Sequence, residues 1–220
     1  MQAWQPLAVV VLSYLIGSIP FGLIVVKIVT GKDIRSIESG RTGGTNVMRA
    51  AGVVSGVITG IMDVLKGFSA CWIARWLIPG SEWMLALAPL MAILGHNYSI
   101  FLIERNDSGH IRFRGGAGGA TTFGGAMGIW PVCGLIIFPL SLGVFLFIGY
   151  ASVATISIAV FATLIFLYLA LFASGSWAYV FYGVAALIMC LWALRPNLER
   201  LRNGTERKVG FRAKRKMREA

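Results

Sequence analysis

The sequence predicts an all-α polytopic membrane protein with about seven transmembrane helices, one of them short, the N-terminus outside and the C-terminus cytoplasmic. Three observations carry that prediction. Of 220 residues, 57% are hydrophobic and 13% charged, where a soluble domain carries about 25% charged residues. The apolar residues come in blocks of roughly 20 or more, enough to cross a bilayer core. The basic residues are bunched: half of the 20 Lys and Arg lie in Arg195–Ala220, and most of the others in Thr30–Ala50 and Arg105–Gly116. Met1–Pro6 has no basic start and no convincing small-residue cleavage site follows the first run, so no cleaved signal peptide is expected.

The spans follow in order. The first runs from about Trp4 to Val29, with Trp4 as an interface anchor and Lys27 able to snorkel. The second covers about Ala51–Ile78, and the third about Trp83–Ile103, ending at the polar stretch ERNDSGHIRFRGG. Apolar character then lasts from Ala117 to Tyr150, too long for one span and too short for two full ones. Gly124, Gly125, Gly128 and Pro131 divide it into a half-length helix near Ala117–Met127 and a span near Trp130–Gly149. Ser152–Phe172 and Trp177–Leu194 complete the set. Charge parity chooses seven crossings over six. Seven places Thr30–Ala50, Arg105–Gly116 and the tail on one face, which is cytoplasmic by the positive-inside rule; six would split the basic loops.

Residues 1–194 therefore form the membrane-embedded domain, and residues 195–220 a basic cytoplasmic tail. The net charge of +11 fits positive-inside bias and attraction to anionic lipid rather than nucleic acid. Cys71, Cys133 and Cys190 each sit in an apolar run, with no metal-site spacing and no disulfide framework; they are expected to be packing residues. No internal repeat supports an inverted transporter symmetry.

Polar groups within or beside spans are costly and point to function by default. The first group is SGRTGGTNVMR, Ser39–Arg49. Gly40, Gly43 and Gly44 allow close backbone approach and an anion nest. Thr45 or Asn46 can cap the following helix, whose N-terminus suits phosphate, and Arg41 and Arg49 add forked charge. A solvated connector is the plain alternative. The second group pairs Asp63 with Lys66 on one helix face, best read as a structural ion pair. The third joins His96 to the run Arg112–Thr122, in which Arg114, Gly115, Gly116, Gly118 and Thr121 form a second basic, glycine-dense turn opening a helix. His96 can equally be a hydrogen-bonding packing residue. The fourth holds Asn197 and Glu206 where the last span leaves the membrane, a stretch that alone reads as an amphipathic tail. There is no Walker spacing, zinc motif, nucleophile elbow or clear triad. Glycine-rich backbone with arginine, opening between apolar spans, suits a ligand with a phosphate head and a fatty tail.

These residues resemble the bacterial membrane acyl-phosphate:glycerol-3-phosphate 1-O-acyltransferases, the PlsY family, nearly end to end. Gly17–Gly22 looks like the family's GSIPFG, and Ser39–Arg49 is similar to SGNIGATNVLR. Asp63–Gly67 resembles D-x-x-K-G; Gly95-His96 with Phe101 resembles G-H-x-x-x-x-F. Gly115–Thr121 looks like GGKGVAT, and Arg195–Glu206 is similar to RxNIxRLxxGTE. The resemblance implies seven membrane helices and an active site on the cytoplasmic face of a bacterial inner membrane. It implies acyl transfer from acyl phosphate to the 1-hydroxyl of glycerol 3-phosphate, without a cofactor or metal, giving lysophosphatidic acid and phosphate. Ser39 and Arg49 would serve the reaction centre, the glycine-rich turn at 115–121 would hold the acyl-phosphate head, and Asn197 and Glu206 would place the acceptor. The soluble enzyme that makes acyl phosphate is a candidate partner.

Three positions depart from the family pattern. Arg41 stands for Asn, Ala117 for the Lys of GGKG, and Leu194 for the His that opens the final motif. Arg41 is the best candidate to replace the missing Lys, ahead of Arg112 and Arg114. A non-catalytic or altered-acceptor relative that binds lipid phosphate, and a small anion or lipid transporter, are the competing readings.

Overall fold

The structure, a computed structural model, describes residues 2–105 and 109–209. The predicted basic tail lies outside those residues from position 210 onward.

Helices α1 (Trp4–Ser18) and α2 (Phe21–Thr30) share the first predicted span, with a break at Ile19-Pro20. Proline has no N–H to continue the ladder, so the last carbonyls of α1 need other donors. Lys66 supplies one: its Nζ donates to Gly17 O at 3.1 Å, and also to Ile19 O in the break at 2.8 Å, beside the local bond from Phe21 N. A loop with a 3₁₀ turn at Ile34–Ser36 leads to α3 (Gly44–Leu77). This corrects the predicted start at Ala51. The polar residues Gly44–Ala51 are already helical, and the chain breaks at Gly52, whose φ of 86° favours glycine.

Helix α4 (Glu82–Asn97) is capped by the Ser81 hydroxyl, which accepts from Met84 N. Here the all-α expectation needs correction. The third predicted span, Trp83–Ile103, is helical only to Asn97. Ser99–Arg105 forms strand β1, antiparallel to β2 (Ile111–Arg114). The run SIFLIER is apolar enough to extend a hydropathy block, yet its short length and its Ile and Phe content suit a strand.

Helix α5 (Gly119–Ile129) is the expected short element. Helix α6 (Cys133–Gly143) continues through one π-helical turn at Val144–Ile148. Helices α7 (Ala151–Phe172), α8 (Trp177–Ala193) and α9 (Arg195–Arg202) follow, α9 bending 66° from α8. Among the described residues, three helical stretches are long and apolar enough to cross a bilayer: Trp4–Thr30, Gly44–Leu77 and Ala151–Phe172; α8 with α9 makes a fourth if counted as one span.

The outside of the bundle is greasy. Val54, Leu135 and Phe172 are each more than 70% exposed, a surface that lipid solvates and water does not. Inside, small residues let backbones touch. A Cβ on Gly67 would overlap Thr121 O, and one on Gly124 would overlap Val64 O, so α3 and α5 cross in direct contact. Gly17 against Ala92 and Gly95 against Tyr14 do the same for α1 and α4. Phe166 and Tyr182 anchor the largest core cluster, the Tyr182 hydroxyl donating to Thr122 O at 2.6 Å.

Candidate active site

One end of the bundle holds a cavity of about 490 Å³. The segment Glu38–Arg49 forms one wall, joined by Gly56, Gly60 and Asp63 of α3. His96 and Ala117–Ala120 form a second, Phe145 with Ala151, Ser152 and Thr155 a third, and Leu194, Asn197, Arg200 and Thr205–Arg207 the last. Four segments far apart in sequence thus meet, as the polar constellations required.

The turn that carries Ser39 is closed by Asn46. Its buried side-chain amide donates to Ile37 O at 3.1 Å and Arg41 O at 2.9 Å. The expected side-chain cap on α3 is therefore absent: Gly43 occupies the N-cap without one, and Asn46 folds back to shape the loop instead. Gly40, at φ 65°, passes beneath Arg35 O and the Arg114 guanidinium, where a Cβ would lie 2.9 Å from each. Ser39 and Arg49 are left exposed at the cavity, and Thr45 lines it.

Arg41 is held differently. One guanidinium nitrogen, Nη2, donates to Ala193 O at the end of α8. The other, Nη1, is buried with no hydrogen-bond partner among the described residues. Burial, and then the nearby Arg200 guanidinium, push the Arg41 pKa below its ordinary value, and an anion alongside would offset both effects. The positions of the absent family Lys and His, Ala117 and Leu194, both line the same cavity.

Several predicted residues support the cavity without lining it. Gly115 and Gly116 press against the end of α4: Gly116 N donates to His96 O at 2.8 Å, and Thr42 N to Gly115 O at 3.3 Å. A Cβ on Gly116 would overlap the His96 ring. Arg114 commits its Nε to Glu104 at 2.8 Å. Thr121 is fully buried in the first turn of α5. Gly118, by contrast, lines the cavity and opens α5 with a left-handed φ of 86°.

Asp63 and Lys66 form the expected ion pair at 2.9 Å, both almost fully buried. His96 Nδ1 lies 3.1 Å from Lys66 Nζ. The same Nδ1 lies 3.5 Å from Asp63 Oδ1, so the ring faces both members of the ion pair.

The electrostatics favour an anion. The cavity carboxylates Glu38, Asp63 and Glu206 each have a basic partner: Arg207, Lys66 and Arg200. Asn197 Nδ2 also donates to Glu206 Oε1 at 2.8 Å. Arg41 and Arg49 make no ion pair among the described residues. The first residues of α3, α5 and α7 line the cavity together, so three positive helix ends converge on it. Ser152, in the first turn of α7, is 1% exposed and its hydroxyl has no partner among the described residues. Sequence reasoning missed Ser152, Thr155, Glu38, Arg200 and Arg207. Arg200 lay inside a motif and was findable; Ser152 is a serine in an apolar run, with no local signal. Among the described residues no group of three His, Cys, Asp or Glu side chains is placed to hold a metal.

Lipid-facing helices around an anion-attracting cavity at one end define an integral membrane protein. The family model for glycerol-3-phosphate acyltransferase matches residues 7–204. A glycerol-3-phosphate acyltransferase of Thermus thermophilus is 41% identical over 91% of this chain and 94% of its own length. One from Moorella thermoacetica is 37% identical over 94% of this chain and 99% of its own. The crystal structure of PlsY, an integral membrane glycerol 3-phosphate acyltransferase, in its glycerol 3-phosphate form superposes with a TM-score of 0.79 at 34% identity, covering 93% of this chain and 96% of that one. Its lysophosphatidic acid form gives 0.76 at 33% identity. The chain belongs to the glycerol-3-phosphate acyltransferase family.

Proposed function

We propose that this membrane protein transfers an acyl group from acyl phosphate to the 1-hydroxyl of glycerol 3-phosphate, releasing lysophosphatidic acid and phosphate. The observation that carries the reading is the convergence of two arginines lacking carboxylate partners and three helix N-termini on one cavity. Both substrates are phosphate-bearing, and a cavity of that charge brings them together. Relatives named for the acceptor, and PlsY structures in glycerol 3-phosphate and lysophosphatidic acid forms, support the acceptor and product.

The chemistry asks little of a base. The acceptor oxygen bonds to the acyl carbon, the bond from that carbon to the phosphate oxygen breaks, and the departing phosphate takes the hydroxyl proton. Holding the two reactants in register supplies ~7–11 kcal/mol, and donors at the developing charge supply more. Arg49 and Ser39 face the reacting phosphate, Arg41 Nη1 replaces the lysine missing at Ala117, and Asn197 with Glu206 orients the acceptor. Gly118 and the first amides of α5 hold the acyl-phosphate head.

Seven crossings with a cytoplasmic cavity fit this reading, because seven is the count that puts Glu38–Arg49, His96–Ala120, Phe145–Thr155 and Leu194–Arg207 on one face. The bacterial inner membrane and the soluble maker of acyl phosphate complete the proposed setting. The test is purified protein in liposomes with palmitoyl phosphate and labelled glycerol 3-phosphate, alongside acyl-CoA as alternative donor. Lysolipid from the phosphate donor alone supports the reading; no product beside an active relative refutes it. A second reading, a lipid-phosphate binder without turnover, is favoured by Ala117 and Leu194 in the cavity wall. It predicts saturable glycerol 3-phosphate binding with no lysolipid.

A further inference from the structure

We propose that the outer face of the β1–β2 hairpin rests in the headgroup layer of an anionic bilayer and holds the Ser39–Thr42 turn at that level. The inference is independent of the reaction. In the register Ile103↔Phe113 and Arg105↔Ile111, Ile103, Ile111 and Phe113 share one face, since opposed residues and every second residue point the same way, and Phe101, in the register shift between Ser99 and Ile103, is exposed beside them. Their exposures, in that order, are 45%, 63%, 44% and 57%. The other face is committed inward: Leu102 is 1% exposed, and Glu104 binds both Arg35 at 2.9 Å and Arg114 at 2.8 Å.

Three arguments select the occupant. An open two-stranded sheet has unpaired backbone along its edges, which hydrocarbon does not tolerate and the hydrated interface does. Four apolar side chains facing water would be a penalty with no return. Exposed Arg105, paired with Ile111, shares their face, placed to reach lipid phosphates while the hairpin's one described acid is consumed by arginines. A second copy of the chain fits less well: a four-residue strand presents far less than the about 1,000 Å² of a specific interface.

The hairpin is also fixed to the cavity wall. Glu104 ties it to Arg35, Thr42 N donates to Gly115 O at 3.3 Å, and Arg114 crosses beneath Gly40. The base of the hairpin is held on α1 by the Tyr14 hydroxyl, which donates to Tyr98 O at 2.8 Å.

The experiment places a spin label on the full chain at Phe101→Cys or Ile111→Cys, with Thr205→Cys as an exposed reference, in nanodiscs of phosphatidylcholine with or without phosphatidylglycerol. The native cysteines are buried and stay unlabelled. Collision with oxygen is compared with collision with a water-soluble nickel chelate. The expected result is an oxygen-to-nickel ratio several-fold above the Thr205 reference, higher with phosphatidylglycerol. A ratio equal to that reference overturns the proposal, as does dipolar coupling between labels on separate copies. If Phe101→Cys fails to fold, Ile103→Cys takes its place.

Discussion

Arg41 divides its guanidinium between the end of α8 and the cavity. A charge-assisted hydrogen bond contributes about 1.5–3 kcal/mol, so Arg41→Ala is expected to raise KM for the phosphate-bearing substrates on the order of 10–100-fold, read from steady-state kinetics. Arg41→Asn, the residue of the family pattern, should lose activity alone and recover it with Ala117→Lys; failure of the double variant would show that the two positions do not share a role. Lys66 makes a different demand. Lys66→Met leaves the Asp63 carboxylate buried without its cation and α1 without its carbonyl donor, a loss of about 3–5 kcal/mol, seen as a lower unfolding temperature in detergent. Much at this scale was legible: Ser39, Arg49, Asn197 and Glu206 stand in motifs, and all four line the cavity. Ser152 was not, because only tertiary structure places the start of α7 at the same cavity.

At the scale of elements, glycine sets the spacing of α3 and α5. A methyl at Gly124 has no room beside Val64 O, and Gly124→Ala is expected to cost at least about 1–3 kcal/mol, measured as reduced thermal stability. Gly52→Ala meets no neighbour but is strained by its φ of 86°, so it should straighten or destabilise the start of α3 without a steric clash. The sequence placed α5, α7 and α8 well, because each is bounded by glycine, proline or a polar break. It missed the hairpin and the early start of α3. Hydropathy counts apolar residues without regard to period, and its span bounds leave out Gly44–Ala50, which is helical but too polar to join an apolar block.

The whole molecule has its polar work at one end and a greasy girdle around it. On the proposed seven crossings, Ala173 and Thr205 lie on opposite sides of the membrane. In intact cells Ala173→Cys should react with an impermeant maleimide, and Thr205→Cys only after permeabilisation; the reverse pattern would invert the topology. The proposed orientation rests on basic-loop parity, since charge asymmetry is written along the chain, whereas the cavity's shape is not. The break between α1 and α2 also has a consequence for biogenesis. The carbonyls of Gly17 and Ile19 emerge from the ribosome well before their donor, Lys66, is translated. Pro20 bends the first span by itself, but the Gly17 carbonyl is expected to meet its lysine donor only when the second span arrives, so the opening three helices settle together.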